Sequence, residues 1–197
     1  MPFDIKFSKD LTIDIRKCPH LLIVGHGNVH SKFAESIRKQ INSLTKVTFT
    51  PGYSVDHDWW TGMDSDNKWF MEMLEERYAL LSATKLKNIE QYNERFKYED
   101  WFYRILLASP SILKHDTSKQ VLMKGRAVGL HIIMFTNSMK GFESDVDLFP
   151  VKIVYKTRTA KESVLLTGQK GAEKLKNGEF MFCELGKKPV IYQNVNI

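Results

Sequence analysis

At 197 residues, with 43% hydrophobic and 26% charged side chains, the chain can bury one sizeable core and is too apolar for wholesale disorder. A formal charge of +6 admits a phosphate-rich partner, yet no long block of like charges marks a nucleic-acid tail, and much of the excess lies in the last third. No apolar stretch approaches the roughly 18 residues of a membrane span, and Met1-Pro2-Phe3-Asp4 carries no signal design, so a cytoplasmic protein without membrane contact is expected.

Phe3 to Ile15 alternates apolar and polar residues around Ser8-Lys9-Asp10, which predicts a β-hairpin; as residues 1–18 it is appended to a single domain over 1–197. A strand at 20–25 and a helix over about 30–44 follow, then a short strand Val47–Phe49 closed by Pro51-Gly52. Residues 53–63 read as a loop carrying Asp56, His57, Asp58, Trp59 and Trp60. The spacing of Trp69, Phe70, Met73, Leu74, Leu80 and Leu81 predicts a helix over 66–82 with those residues on one face, and a shorter helix spans 89–96. Trp101 to Leu107, interrupted only by Arg104, predicts a strand in the middle of a sheet. A helix over 117–128, capped by Gly129, leads into another buried strand over 131–136. Alternation from Val151 to Lys156 predicts an edge or half-exposed strand. Residues 161–175 are mostly helical with a break near Gly168 and Gly171. Asn177-Gly178 then turns into a strand at 180–185, paired with one at 189–195. Strands alternating with helices imply an α/β layer fold with a largely parallel sheet.

The stretch from His20 to Lys32 has the strand–loop–helix context of the phosphate-binding motif G-x-x-x-x-G-K-[ST]. Counted from Gly25, the second glycine falls on His30, the lysine on Ser31 and the hydroxyl residue on Lys32. The frame is kept and the key atoms are not.

Three further blocks carry a family resemblance. Asn67 to Leu81, with Glu75-Glu76-Arg77-Tyr78-Ala79-Leu80-Leu81, and then Asn88-Ile89-Glu90-Gln91-Tyr92-Asn93, resemble the E-x-E-R-R-Y-x-L-L and N-I-x-x-Y-N helices of the FtsK/SpoIIIE motor domain. Lys124-Gly125-Arg126-Ala127-Val128-Gly129-Leu130-His131 through Asn137 is similar to that family's G-R-A-x-G-I-H-L-I-L-A-T-Q. Phe149-Pro150-Val151-Lys152-Ile153, Ser163-Val164-Leu165-Leu166 and Gly171-Ala172-Glu173-Lys174-Leu175 resemble its F-P-x-R-I, S-R-x-I-L and G-A-E-K-L-L. Their colinearity makes the resemblance specific. It implies a RecA-like P-loop NTPase core with a mostly parallel central sheet flanked by helices. Such cores assemble as hexameric rings that move double-stranded DNA or serve conjugation or type VII secretion.

Against that family the departures cluster on chemistry. Ser31 and Lys32 stand where the phosphate lysine and the magnesium hydroxyl belong, and Lys32 is one helix position, about 100°, out of phase. The strand that should end in Asp-Glu ends in Ala108-Ser109-Pro110-Ser111. The sensor glutamine is Asn137, and family arginines become Lys152, Lys156 and Val164. Losing all of these together predicts a domain without turnover, with no catalytic residue and no expected cofactor. ATP with magnesium enters only under the alternative of a translocase using Lys32 and a noncanonical acid such as Asp116.

Residue by residue, a degenerate phosphate loop would comprise Gly25, Gly27, Asn28, Ser31 and Lys32, with Asn137 sensor-like; a retained structural turn is the favoured reading of the glycines. His26, His30 and His57 with Asp56 and Asp58 have no metal-ligand spacing, and Cys18 and Cys183 read as reduced, packed thiols. Trp69 belongs to the core, while Trp59 and Trp60 suggest a partner contact. Lys152, Lys156, Arg158 and Lys161 are the candidate nucleic-acid contacts; with Lys170, Lys174, Lys176, Lys187 and Lys188 they also fit a solvated basic face. The expected role is a binding accessory to DNA processing or transfer, of the kind a mobile element carries. Candidate partners are double-stranded DNA, an active FtsK-like, conjugation or secretion motor, or a second copy; a protein-interaction module without DNA contact is the other alternative. With no membrane region or DNA-orienting winged-helix module in the sequence, a complete translocase of the usual design is not expected.

Overall fold

The computed structural model describes residues 4–18, 20–26, 35–37, 39–40, 47–49, 63–97 and 101–193, with backbone alone for 47–49 and 63–69. The expected helix over 30–44 (apart from helical residues 35–37 and 39–40), the loop with Asp56, His57, Asp58, Trp59 and Trp60, and the Trp69 side chain lie outside the described residues.

Strands β1 (Asp4–Lys6) and β2 (Thr12–Asp14) pair antiparallel as the expected hairpin. The main sheet comprises β3 (His20–Val24), β4 (Val47–Phe49), β5 (Tyr103–Ala108), β6 (Leu130–Thr136), β7 (Val151–Val154), β8 (Glu179–Glu184) and β9 (Val190–Gln193). Among the described residues its order is β4-β5-β6-β3-β7-β8-β9. The pairs from β4 to β7 are parallel; β7–β8 and β8–β9 are antiparallel. β3 and β6 are buried along their whole length, which is why both are mostly apolar.

Strand alternation divides the core in two. Leu22, Val24, Leu106, Ile132 and Met134 face helix α1 (Met63–Thr84) and helix α3 (Asp116–Lys124). Leu21, Ile23, Ile105, Ile133 and Phe135 face the hairpin, whose Ile5, Phe7, Ile13 and Ile15 belong to the same buried cluster. Cys18 and Cys183 are free and buried, and burial pushes their thiols up to about 12 and about 11, away from nucleophilic thiolate. Among the described residues no helix is long and apolar enough to cross a membrane.

Four sequence expectations are corrected. On α1 the buried stripe is Phe70, Leu74, Arg77 and Leu81, at the i, i+4, i+7, i+11 spacing of one helix face, and Leu80 is 39% exposed. The helix expected over 117–128 stops at Lys124 and tightens into a 3-10 turn, Gly125–Val128. The tightening has a steric reason: a Cβ on Gly125 would lie 2.5 Å from the Leu130 carbonyl oxygen, and Gly129 turns the chain into β6 at φ 72°. β7 is not an edge strand, since β3 and β8 flank it; its alternation comes from half-buried Lys152, which faces Cys183 in the register. Trp101 and Phe102 precede β5 because Asn93 takes both backbone groups of Trp101, donating to its carbonyl (2.9 Å) and accepting its N–H (2.7 Å).

The break expected near Gly168 is present: helix α4 (Ala160–Thr167) ends there at φ 76°, and a 3-10 turn Ala172–Lys174 follows.

The charged group in the α1 stripe fastens the layers. Arg77 donates to the carbonyls of Val128 and, at 2.9 Å, Phe102, and its guanidinium lies 5.1 Å from the Trp101 ring centre. Burial first, then the nearby Arg104, lowers its pKa to about 10, which leaves it charged at neutral pH. Tyr78 donates to the Lys124 carbonyl (2.8 Å). Helix α2 (Ile89–Arg95) begins with Asn88 accepting the Gln91 N–H, and its Tyr92 stacks on Trp101 at 3.8 Å. The family-like helical block is therefore a structural clamp at the amino ends of β5 and β6.

Two stability outcomes follow from this packing. Arg77→Ala strands two carbonyls and should cost about 2–4 kcal/mol in chemical denaturation, with Arg77→Lys recovering part of it; equal stability of all three proteins would refute the clamp. His20 is 2% exposed, its Nδ1 accepts the Ile132 N–H (3.1 Å), and burial, then His131, holds its pKa well below the ordinary value. The folded protein thus excludes a proton that the unfolded chain binds below about pH 6.5, and stability should fall by up to about 1.4 kcal/mol per pH unit as pH drops from there. Denaturation at pH 7.5 and 5.0 should show that slope reduced in His20→Asn, which keeps an acceptor but cannot titrate; an unchanged slope would assign the effect elsewhere.

Candidate functional site

In a parallel sheet the loops that leave the carboxyl ends of neighbouring strands meet at one edge, and ligands bind there. Here that edge collects Gly25-His26 after β3, Ser109-Pro110 after β5, Thr136-Asn137 after β6 and Tyr155 to Arg158 after β7. The edge is stitched by backbone: Gly25 N–H donates to the Thr136 carbonyl (3.0 Å), and Tyr155 N–H to the Val24 carbonyl (2.8 Å). A Cβ on Gly25 would lie 3.2–3.4 Å from the Tyr155 side chain, so close packing, not an unusual φ, favours glycine here.

β5 ends on buried Ala108, and the next side chains are hydroxyls: Ser109 and Ser111 share a hydrogen bond of 2.6 Å, while Pro110 opens a 3-10 turn, Pro110–Lys114. Residues 108–111 themselves carry no carboxylate. Asp116 is exposed in the first turn of α3, and buried Asp145 is tied to Lys119 at 2.9 Å. The Thr136 hydroxyl is spent on its own turn, donating to the Ser138 carbonyl (2.6 Å) and accepting the Ser138 N–H (3.1 Å). Asn137 is exposed beside it. Gly27, Asn28, His30, Ser31 and Lys32 lie outside the described residues.

Of the four candidate nucleic-acid contacts, two line a common crevice. Lys152 lies mid-strand opposite Cys183. Lys161 sits near Glu143, whose carboxyl is held below its usual range first by its own N–H and that of Gly141, with Lys140 and Lys161 adding charge. Lys156 and Arg158 instead line a crevice of about 500 Å³ with His26, Lys176 and Asn177. Sequence reasoning missed that grouping, because Lys176 and Asn177 come from a turn about 20 residues further on. The connecting bond runs from the Thr157 N–H to the Ala172 carbonyl (3.3 Å). The only signal was the small, glycine-flanked Gly171-Ala172: Ala172 is fully buried, and its N–H donates to the Ser163 hydroxyl (3.0 Å).

No protein-family model matches the chain. Its sequence is similar to the DNA translocase FtsK of Mycobacterium leprae, with 23% identity over 95% of this chain and 28% of the relative. In fold it is similar to the pCW3 conjugation coupling protein TcpA, solved as a monomer with ATPγS, at TM-score 0.79 and 19% identity over 98% of this chain and 66% of that one. It is also similar to the cytoplasmic domain of the type VII secretion ATPase EccC of Thermomonospora curvata, at TM-score 0.71 and 15% identity over 98% of this chain and 28% of that one. The expected RecA-like P-loop NTPase fold is thereby shown, and the chain spans little more than a quarter of the M. leprae relative's length.

Gly25→Val should overpack the Tyr155 ring and cost about 1–3 kcal/mol in thermal unfolding. Combined with Tyr155→Leu the losses should be non-additive; additive losses would place the crowding elsewhere.

Proposed function

We propose that this chain, an FtsK/SpoIIIE-family P-loop ATPase domain in fold and sequence similarity, is a non-hydrolysing form that works by binding, as an accessory to DNA processing or transfer. The observation that carries this reading is the end of β5, where Ala108, Ser109, Pro110 and Ser111 offer no carboxylate to hold magnesium or orient water. Phosphoryl transfer depends almost wholly on positioned charge, so this loss is not offset by the rest of the scaffold. Ser31 and Lys32 in place of the phosphate lysine and its hydroxyl neighbour support the same reading, as do Lys152, Lys156 and Val164 at arginine positions. A substitute role for Asp116 is disfavoured by its place: it follows Ala108 only after a complete 3-10 turn and is exposed.

Similarity to proteins described as a DNA translocase and a conjugation coupling protein points to DNA or a motor as the partner. A module that contacts only protein has its own support: Val164 and Leu165 stand adjacent and exposed (43% and 38%) on α4, the first at a family arginine position.

With ATP and magnesium, phosphate release should stay at the level of buffer alone; turnover that tracks the protein through purification would overturn the proposal. In a salt titration, duplex-DNA binding should weaken steeply with ionic strength. Absence of binding at low salt would leave the protein-contact role instead.

A further inference from the structure

We infer that the outer side of β9 is a self-recognition edge, on which a second copy of this chain lays its own β9 antiparallel and continues the sheet through a two-fold axis. This edge lies on the opposite side of the sheet from β4 and β5, and its pairing does not depend on whether ATP is hydrolysed.

Among the described residues β9 pairs with β8 alone. Its other side therefore presents a row of backbone N–H and C=O groups that no neighbouring strand uses. Such an edge is commonly blunted by a bulge, a proline or an inward-pointing charge. None of these interrupts β9. Its register with β8 runs without a break from Glu179↔Gln193 to Phe182↔Val190, and Val190-Ile191-Tyr192-Gln193 contains neither proline nor charge. Water reaches both faces of the strand: Val190 is 48% exposed and Ile191 54%, and alternation puts them on opposite faces. Tyr192, on the Val190 face, is held against the Phe180 ring at 5.9 Å. A strand that covers this edge must be uncharged and apolar on both faces. β9 itself meets that requirement.

A two-fold axis normal to the sheet keeps each face on its own side, so a β9 residue opposes only residues of the same face in the second copy. A register centred on Ile191 sets Ile191 against its own counterpart and Val190 against Tyr192 twice. One centred on Tyr192 would instead spend Ile191 on Gln193. The first makes each central pair apolar, and aromatic and β-branched side chains are favourable cross-strand partners. Charge selects the same arrangement. Pro189 to Ile197 has no charged side chain, so the paired strands do not repel. Lys188 stands before one end of β9, and Glu179 lies beside Gln193 at the other. Lys187 is already taken by Glu184 at 2.8 Å. Antiparallel symmetry brings the Lys188 end of each copy to the Glu179 end of the other, whereas parallel strands would set lysine beside lysine. Four residues of pairing are small against the roughly 1,200–2,000 Å² of a stable complex, so the dimer is weak and forms with rising concentration.

The test is sedimentation velocity on the full chain from about 5 to about 500 µM, a span suited to weak association. The sedimentation coefficient should climb with concentration and stop at the dimer, since the axis uses up the edge. Ile191→Lys sets two like charges at that axis and should keep the protein monomeric over the whole range with its melting temperature unchanged. Val164→Lys, at an exposed position of α4, should dimerise as the parent does. Directly opposed residues have Cβ atoms about 4.5–5.5 Å apart, so Ile191→Cys should give a disulfide-linked dimer under mild oxidation and Val164→Cys should not. Cys18 and Cys183 are buried and do not compete. A monomer at every concentration, a dimer that survives Ile191→Lys, or Ile191→Cys cross-linking no faster than Val164→Cys would each overturn the inference.

Discussion

A guanidinium taken out of water must find acceptors, and Arg77 finds them on two segments of chain that have to meet for the sheet to form. Its bonds to Val128 and Phe102 fix α1 over the points where the chain enters β6 and β5. Trp101 serves three partners at that place: its ring faces Arg77 and stacks on Tyr92, and its backbone is held by Asn93. Buried charge is weak evidence of net stability in general. Here it ties α1 to two separate segments of chain through one group.

The clamp lies at the amino ends of the strands, and the ligand edge lies at the carboxyl ends. These two ends are built differently. At the amino ends the family-like residues Arg77, Tyr78, Asn88, Tyr92 and Asn93 all make specific contacts. At the carboxyl ends the backbone stitching of Gly25, Thr136 and Tyr155 is intact, but the side chains at the end of β5 are alanine, serine and proline. The residues that hold the fold together and those that line the carboxyl edge are different residues of one scaffold.

The crevice beside β7 follows from how α4 ends. Gly168 stops the helix, Gly171 and Ala172 return the chain close enough to bond Thr157 and Ser163, and the next turn brings Lys176 opposite Lys156 and Arg158. Ser163 is fully buried and also donates to the Gln169 carbonyl (2.7 Å), so this return is rigidly held.

Much of this was legible before any coordinates. Apolar runs at Leu21–Val24 and Ile132–Phe135 declare strands covered on both faces, Gly129 and Gly168 declare turns, and the absence of a carboxylate in the four residues after Leu107 is a property of the chain itself. These are local facts, written in composition and short periodicity. Position within the sheet is not local. Val151 to Val154 alternates because one lysine faces a cysteine of β8, and only pairing on both sides reveals an interior strand. Leu80 reads as core until the helix is docked, when Arg77 lies on the buried stripe and Leu80 off it. The convergence of Lys156, Arg158 and Lys176 likewise depends on a hydrogen bond between Thr157 and Ala172 across a chain reversal. Residues distant in sequence become neighbours only when the core closes, and their chemistry is decided at that moment.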